Sequence, residues 1–252
     1  MRILVILPTY NEAENVLSLV EQILAHGENI EVLVVDDNSP DGTGEIVARA
    51  GEGNPHLHLL RRPGKLGLGG AYLTGFQFAI DYGYDLIFTM DCDHSHNPQY
   101  LPDFIHAMQD NDMVIGSRYI PGGGIENWPR HRQILSSFAN FYARTLLRLR
   151  VRDCTSGYRC YRRAVLESVD LASIRSSGYS FLEEFVWRVQ RAGFSIGEVP
   201  ILFVQRTAGV SKIDSSEIYR AAWHVLRNGL FPPRNVPNKS RTQKNDERPN
   251  RD

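Results

Sequence analysis

The chain has 252 residues, 42% hydrophobic and 23% charged, with a formal net charge of −1. This is an ordinary globular composition, long enough for one large α/β domain with a substantial core, and its charge balance excludes a global pull toward nucleic acid. No run of about 18 apolar residues occurs, so no transmembrane helix is expected, and Cys92, Cys154 and Cys160 suit neither a disulfide framework nor a zinc site, which points to a reducing compartment.

Met1 to Leu7 is basic and then apolar, but Pro8-Thr9-Tyr10-Asn11-Glu12 interrupts it too early for a signal peptide. Ile3 to Leu7 reads as a strand. Glu14 to Ala25 reads as a helix with Val16, Leu19, Val20, Ile23 and Leu24 on one face. Strands are expected at 32–35, 57–60, 86–91 and 113–116, with helices at 44–50, 70–82 and 100–109 between and after them. Alternating strands and helices imply right-handed βαβ units and a parallel sheet. Farther on, Pro121 to Gly124 reads as a flexible loop, 134–149 and 180–192 as helices, 195–199 and 201–204 as strands, and 216–230 as a last helix. From residue 231 onward the chain is polar and rich in Pro, Asn and Arg, and a disordered tail is expected.

Asp91-Cys92-Asp93 closes the apolar run Leu86 to Met90. Two aspartates at the carboxyl end of a parallel strand stand where open α/β sheets place ligands. Residues i and i+2 of an extended segment point the same way, and two hard oxygen donors aimed at one spot suit Mg²⁺ or Mn²⁺ bridging a diphosphate. Pro8 to Glu12 occupies the first βα turn, where doubly wound sheets bind nucleotides. Asn11 is a candidate helix cap with Glu14 three residues on, which leaves Tyr10 and Glu12 for a base or ribose. Asp36-Asp37-Asn38-Ser39-Pro40-Asp41-Gly42-Thr43 reads equally as a hydrogen-bond acceptor for a nucleoside and as a turn. Pro63 to Gly70 is Gly-rich ahead of a helix, a phosphate cradle or a close-packing device. Arg118, Arg132, Arg206 and Lys212 are four basic groups beside predicted strand ends or loops, and together they suggest anionic substrates.

Taken in order, Pro8-Thr9-Tyr10-Asn11-Glu12, Val34-Val35-Asp36-Asp37-Asn38-Ser39-Pro40-Asp41-Gly42-Thr43, Met90-Asp91-Cys92-Asp93, Gly116-Ser117-Arg118-Tyr119 and Ser211-Lys212 resemble family-2 glycosyltransferases of the GT-A fold, and more narrowly polyprenol (dolichol) phosphate mannose synthases. The resemblance covers residues 1–230 and implies a single Rossmann-like domain with a mostly parallel sheet flanked by helices. It implies that Pro8, Tyr10, Glu12, Val35 and Asp37 hold the guanosine part of GDP-mannose. Asp91, Cys92 and Asp93 would take the diphosphate end, with Asp91 and Asp93 on Mg²⁺ or Mn²⁺. Arg118, Arg132, Arg206 and Lys212 would hold the donor diphosphate and a lipid phosphate. Where some relatives have a further metal-binding Gln, this chain has Ser95, whose hydroxyl or a water would substitute.

A phosphomonoester acceptor is already mostly a dianion at neutral pH, since its second pKa is about 6, so a general base is dispensable. Inverting transfer to polyprenyl phosphate is the resulting expectation. Glu183 and Glu184 would be base candidates for a hydroxyl acceptor, but a solvated helix face is the reading preferred for them. A lipid acceptor calls for peripheral association with the cytoplasmic side of a membrane, through the helices at 133–150 and 216–231 and through a possible small membrane-anchoring subunit. A UDP-sugar donor is the alternative within the fold, and a non-catalytic nucleotide-sugar-binding protein the alternative outside enzymes.

Overall fold

The computed structural model describes residues 1–174, 176, 178–204 and 215–230. The expected tail at 231–252, Arg206 and Lys212 lie outside these residues. In chain order the elements are β1 (Ile3–Thr9), α1 (Val16–Leu24), β2 (Ile30–Asp36), α2 (Thr43–Gly51), β3 (Leu57–Arg61), α3 (Leu68–Asp81), β4 (Leu86–Thr89), α4 (Leu101–Ala107), β5 (Met113–Ser117), β6 (Gly124–Glu126), α5 (Arg130–Leu147), β7 (Arg159–Arg162), α6 (Arg163–Ser168), α7 (Tyr179–Arg191), β8 (Ile196–Pro200), β9 (Leu202–Val204) and α8 (Ser215–Leu230).

Seven strands form one sheet in the order β3-β2-β1-β4-β7-β5-β8. All neighbours pair in parallel except β7, which runs antiparallel to both β4 and β5. The central strands are buried on both faces, which is why β1, β2 and β4 read as unbroken apolar runs. Alternate residues serve two cores. Leu4, Ile6, Leu33, Val35 and Ile87 meet Tyr72, Phe76, Phe181 and Phe185 of α3 and α7. Ile3, Val5, Leu7, Val32 and Phe88 meet Val16, Leu19 and Ile23 of α1 and Phe104 of α4. Gly75 lets α3 press onto β1, since a Cβ there would lie 2.7 Å from Ile6 Cγ2.

Three expectations need correction, and two elements were not expected. Asn11 caps nothing: it is in the left-handed region at φ 57, and α1 begins at Val16 behind Asn15, which makes no side-chain cap. The strand before the paired aspartates ends at Thr89, so both lie beyond it, Asp91 just ahead of a bend that begins at Cys92 and Asp93 within it. Pro121 to Gly124 is not a free loop: Gly124 begins β6, which pairs with β9, and a Cβ at Gly123 would lie 2.4 Å from the Ser117 carbonyl oxygen. Both β7 and α6 escape sequence reading, because Arg159 and Arg162 bracket Cys160-Tyr161 and erase the apolar run.

At the sheet edge opposite the candidate site, Glu31 receives hydrogen bonds from Arg2 Nη2 (2.9 Å) and Tyr84 Oη (2.6 Å) and stands 2.7 Å from His58 Nε2. Burial alone would raise this carboxyl, but the bonds from Tyr84, His58 and Arg2 outweigh it and hold it at about 2, against 4.5. A depressed carboxylate stabilises the fold above its unfolded pKa and loses that contribution as pH falls toward the folded one. Glu31→Gln is therefore expected to lower unfolding free energy at neutral pH by about 1–2 kcal/mol, allowing for partial solvent screening. Denaturant titrations from pH 7 downward should show the gap to the parent closing between about 4.5 and 2.

Candidate active site

The carboxyl ends of β1, β2 and β4 meet at one edge, with Thr9 opposite Asp36 and Ile6 opposite Thr89. Turn chemistry builds the first wall. Asp36 accepts hydrogen bonds from Thr9 Oγ1 (2.9 Å), Ser39 N (3.0 Å) and Ser39 Oγ (2.5 Å), while Asp41 accepts from Ala13 N and Thr43 N, both at 3.0 Å. The acidic 36–43 segment is thus, for these two aspartates, the turn its composition allowed. Tyr10 is partly exposed, and Lys65 Nζ lies 4.7 Å from its ring centroid, so the Gly-rich segment folds toward the first βα turn. Pro8 is half-buried, and Glu12 Oε2 accepts from Asn15 Nδ2 at 3.0 Å.

Asp37 is 5% exposed, and the Arg62 guanidinium stands 2.8 Å from its Oδ1. Its Oδ2 accepts from Leu66 N at 3.0 Å, and Arg62 Nη1 donates to the Gly67 carbonyl at 3.2 Å. This carboxylate therefore organises the Gly-rich loop. Burial pushes Asp37 up, against the pull of Arg62 and of the Leu66 and Gly67 amides. The side chains of Val35 and Cys92 lie in the two cores, so only their backbones face the edge.

Asp91 is partly exposed, with 38% of its side chain accessible, whereas Asp93 and Ser95 are buried. Asp93 Oδ1 accepts from Ser95 N at 3.1 Å, and His94 takes a left-handed φ of 59, which turns the chain sharply after the pair. The fully buried His96 accepts the Asp91 N–H on Nδ1 at 2.9 Å. Burial lowers its pKa despite Asp91 and Asp93 nearby, so the ring is a neutral acceptor that fixes the turn. A Cβ on Gly157 would sit 3.3 Å from Tyr72 Oη, 3.4 Å from Asp91 Oδ1 and 3.6 Å from His96 Cε1, so a bare backbone packs against Asp91. Among the described residues no group of three or more His, Cys, Asp or Glu is placed to hold a metal. The donor set is two carboxylates, which suits a hard divalent cation that completes its shell with phosphate and water, the usual regime of Mg²⁺.

Beside this turn stands Arg118, 8% exposed, clamped by the fully buried Asp153. Its Nε donates to Asp153 Oδ2 at 2.7 Å, its Nη2 to Oδ1 at 2.8 Å and to Thr155 Oγ1 at 2.7 Å, and its backbone N–H to Oδ2 at 3.0 Å. The Arg118 charge and these bonds hold the Asp153 carboxyl below the usual range against the burial that would raise it. The guanidinium carbon lies 5.5 Å from the Phe203 ring and 6.0 Å from Trp128, and Arg132 stands 4.0 Å over Trp128. Phe203 also meets His96 at 5.4 Å between ring centroids. The chain from Asp91 through His96, Phe203 and Trp128 brings both arginines into one locale with the paired aspartates.

Glu183 and Glu184 contradict the solvated-face reading: both are buried. Glu184 accepts from Arg188 Nε at 2.8 Å. Burial pushes Glu183 up to about 8, only partly offset by Arg159. Asp153, His96, Arg62, Trp128 and Phe203 were missed in the sequence. Each lies outside a recognisable motif and acts through packing that pattern reading does not reveal.

The glycosyl transferase family 2 profile matches residues 4–170. The chain is 45% identical over 231 residues to "Polyprenol monophosphomannose synthase" of Mycolicibacterium smegmatis, covering 91% of this chain and 87% of that one. It is 43% identical over 230 residues to "Undecaprenyl-phosphate mannosyltransferase" of Micrococcus luteus, covering 91% and 95%. In fold it is similar to glucosyl-3-phosphoglycerate synthase from Mycobacterium tuberculosis, solved with Mn²⁺, uridine diphosphate and glucosyl-3-phosphoglycerate, with a TM-score of 0.65 at 17% identity over 93% of this chain and 81% of that one. The match over most of the sheet, together with relatives of this identity, establishes that the chain belongs to glycosyl transferase family 2.

Proposed function

We propose that the chain transfers mannose from GDP-mannose to a polyprenyl phosphate, with inversion at the sugar carbon. The observation that carries this reading is the grouping of Asp91 and Asp93 with Arg118 and Arg132 around one aromatic cluster at the sheet edge. The activities named for the two bacterial relatives support the acceptor and the sugar.

In this reading the first βα turn, through Pro8, Tyr10 and Glu12, receives the nucleoside, with the backbone of Val35 and the loop ordered by Asp37 beside it. Mg²⁺ or Mn²⁺ on Asp91 and Asp93, with Ser95 adjoining, supplies charge neutralisation to the leaving diphosphate. Arg118 offers a guanidinium whose orientation Asp153 has already set, so no reorganisation accompanies charge development. Arg132, half-buried on the first turn of α5, is placed to hold the second anion. Arg206 and Lys212 are assigned to the same anions by resemblance. Because the acceptor arrives as a dianion, the side chains orient two charged groups for in-line attack, and none is required to remove a proton. Glu183, buried and raised in pKa, is consistent with that division, which asks no carboxylate to remove a proton. A lipid acceptor calls for peripheral association with a membrane, and we assign the enzyme to its cytoplasmic side with a small membrane-anchoring subunit as companion. Among the described residues, no helix is long and apolar enough to cross a membrane.

Incubation with labelled GDP-mannose, a polyprenyl phosphate and Mg²⁺ or Mn²⁺ should give organic-soluble label that EDTA abolishes. Failure with both metals would sink the proposal. Asp91→Ala and Asp93→Ala are each expected to lower turnover about a thousandfold or more while retaining a cooperative unfolding transition.

The two arginines should separate in a second way. Arg118→Ala and Arg132→Ala should each cost about 2–4 kcal/mol of transition-state stabilisation, read from kcat/KM. Arg118→Ala should also lower folding stability by about 3–5 kcal/mol, because it strands the buried Asp153 charge. Arg132→Ala should leave unfolding nearly unchanged, and equal stability losses in the two variants would contradict this assignment.

A further inference from the structure

Seven of the ten large hydrophobic side chains exposed among the described residues fall on two helices, α5 and α8, so the exposure is a concentrated patch and not surface scatter. On α5 they include Ile134, Phe138 and Phe141, spaced i, i+4, i+7, so they line one face. On α8 they are Tyr219, Trp223 and Leu230 at i, i+4, i+11, again one face. The helices adjoin: Tyr142 Oη donates to the Ala222 carbonyl at 3.1 Å, and a Cβ on Gly229 would lie 2.9 Å from the Leu146 carbonyl oxygen.

Charge accompanies the patch. Residues 127–152 hold six arginines and no aspartate or glutamate, in a chain of net charge −1. Arg130, Arg148, Arg150 and Arg152 are exposed. The patch is also continuous with the candidate site, since Arg132 on the first turn of α5 covers Trp128 and Ser136 accepts a hydrogen bond from Tyr119 Oη at 2.8 Å.

We propose that the joint face of α5 and α8 is a docking surface for an anionic lipid bilayer, with the apolar side chains in the interface and the arginines among the headgroups. An apolar stripe rimmed by cations is the pattern of a helix lying in the interface plane. A second copy of this chain is the poorer occupant, because a two-fold interface would set arginine-rich surfaces against each other. The chain's own 231–252 segment is poorer still, since Phe231 and Val236 are its only apolar residues besides proline. The proposal deepens the lipid-phosphate reading and rests on it for the choice of a membrane, but its test does not need turnover.

The full chain is sedimented with acceptor-free vesicles of phosphatidylcholine alone, or with about one-third phosphatidylglycerol, at low and high salt. Binding to the anionic vesicles should be about tenfold or more tighter and should weaken with salt. Phe138→Ser combined with Phe141→Ser should lower vesicle binding about tenfold or more. The unfolding temperature, and transfer to a short water-soluble prenyl phosphate, should stay unchanged. Arg148→Gln with Arg150→Gln should reduce the anionic preference and leave the weak binding to neutral vesicles alone. Binding without mannose transfer would support the surface and count against the reaction. The proposal is overturned by no vesicle binding, by equal binding to both lipids, by parental binding of the phenylalanine variant, or by a solution dimer that this variant splits.

Discussion

One buried cation organises the half of the molecule that carries the arginines. Arg159 is completely buried at the start of β7, and its guanidinium is satisfied by carbonyl oxygens: Nε donates to Ser156 at 2.7 Å, Nη1 to Leu182 and Nη2 to Cys154, both at 2.8 Å. Such a charge is tolerated in a core only when its donors are met, and the cost of leaving it unmet fixes the groups that meet it. Those groups belong to the 153–157 loop and to α7. The same loop carries Asp153, which aims Arg118, and Gly157, whose carbonyl accepts from Thr89 Oγ1 at 2.9 Å and whose missing side chain leaves room beside Asp91. One electrostatic requirement therefore sets the relative position of an arginine and a carboxylate 27 residues apart in sequence.

The antiparallel course of β7 makes this possible. A parallel strand between β4 and β5 would deliver its carboxyl end to the edge; β7 instead delivers its beginning and the turn before it. The edge is thus made twice over, by strand ends that present the first βα turn and the aspartates and by a strand start that presents Asp153 and Gly157. A supporting layer lies behind it: Glu198 of β8 accepts from Arg152 N at 2.8 Å and Asp153 N at 3.0 Å, and Asn140 of α5 accepts from Cys154 N at 2.9 Å.

This division explains what could be read in the sequence. The parallel half was legible because its strands are buried on both faces and announce themselves as apolar runs, and because Asp91 and Asp93 follow directly on one of them. The other half was not. β7 is marked by the buried Arg159 and the half-buried Arg162, and nothing local distinguishes an arginine held by carbonyls from one in solvent. Asp37 looked like an edge carboxylate open to a ligand, yet its burial against Arg62 commits it to the Gly-rich loop. Glu183 and Glu184 had helical spacing compatible with a wet face, and only the packing of α7 against α3 and the sheet puts them inside.

Arg118 and Arg132 also differ in what they could do for two anions. Arg118 has its charge balanced by Asp153 and its direction set by three side-chain bonds, so it offers hydrogen-bond geometry more than net positive charge. Arg132 stands over Trp128, a contact that orients a guanidinium without neutralising it. A leaving diphosphate, whose charge grows along the reaction, gains most from a donor that need not move. An incoming lipid phosphate, already charged and drawn from a surface, gains most from a cation close to that surface. The placement of Arg132 at the start of α5, within one turn of the apolar stripe of that helix, puts its guanidinium where an acceptor from the bilayer would first meet the site.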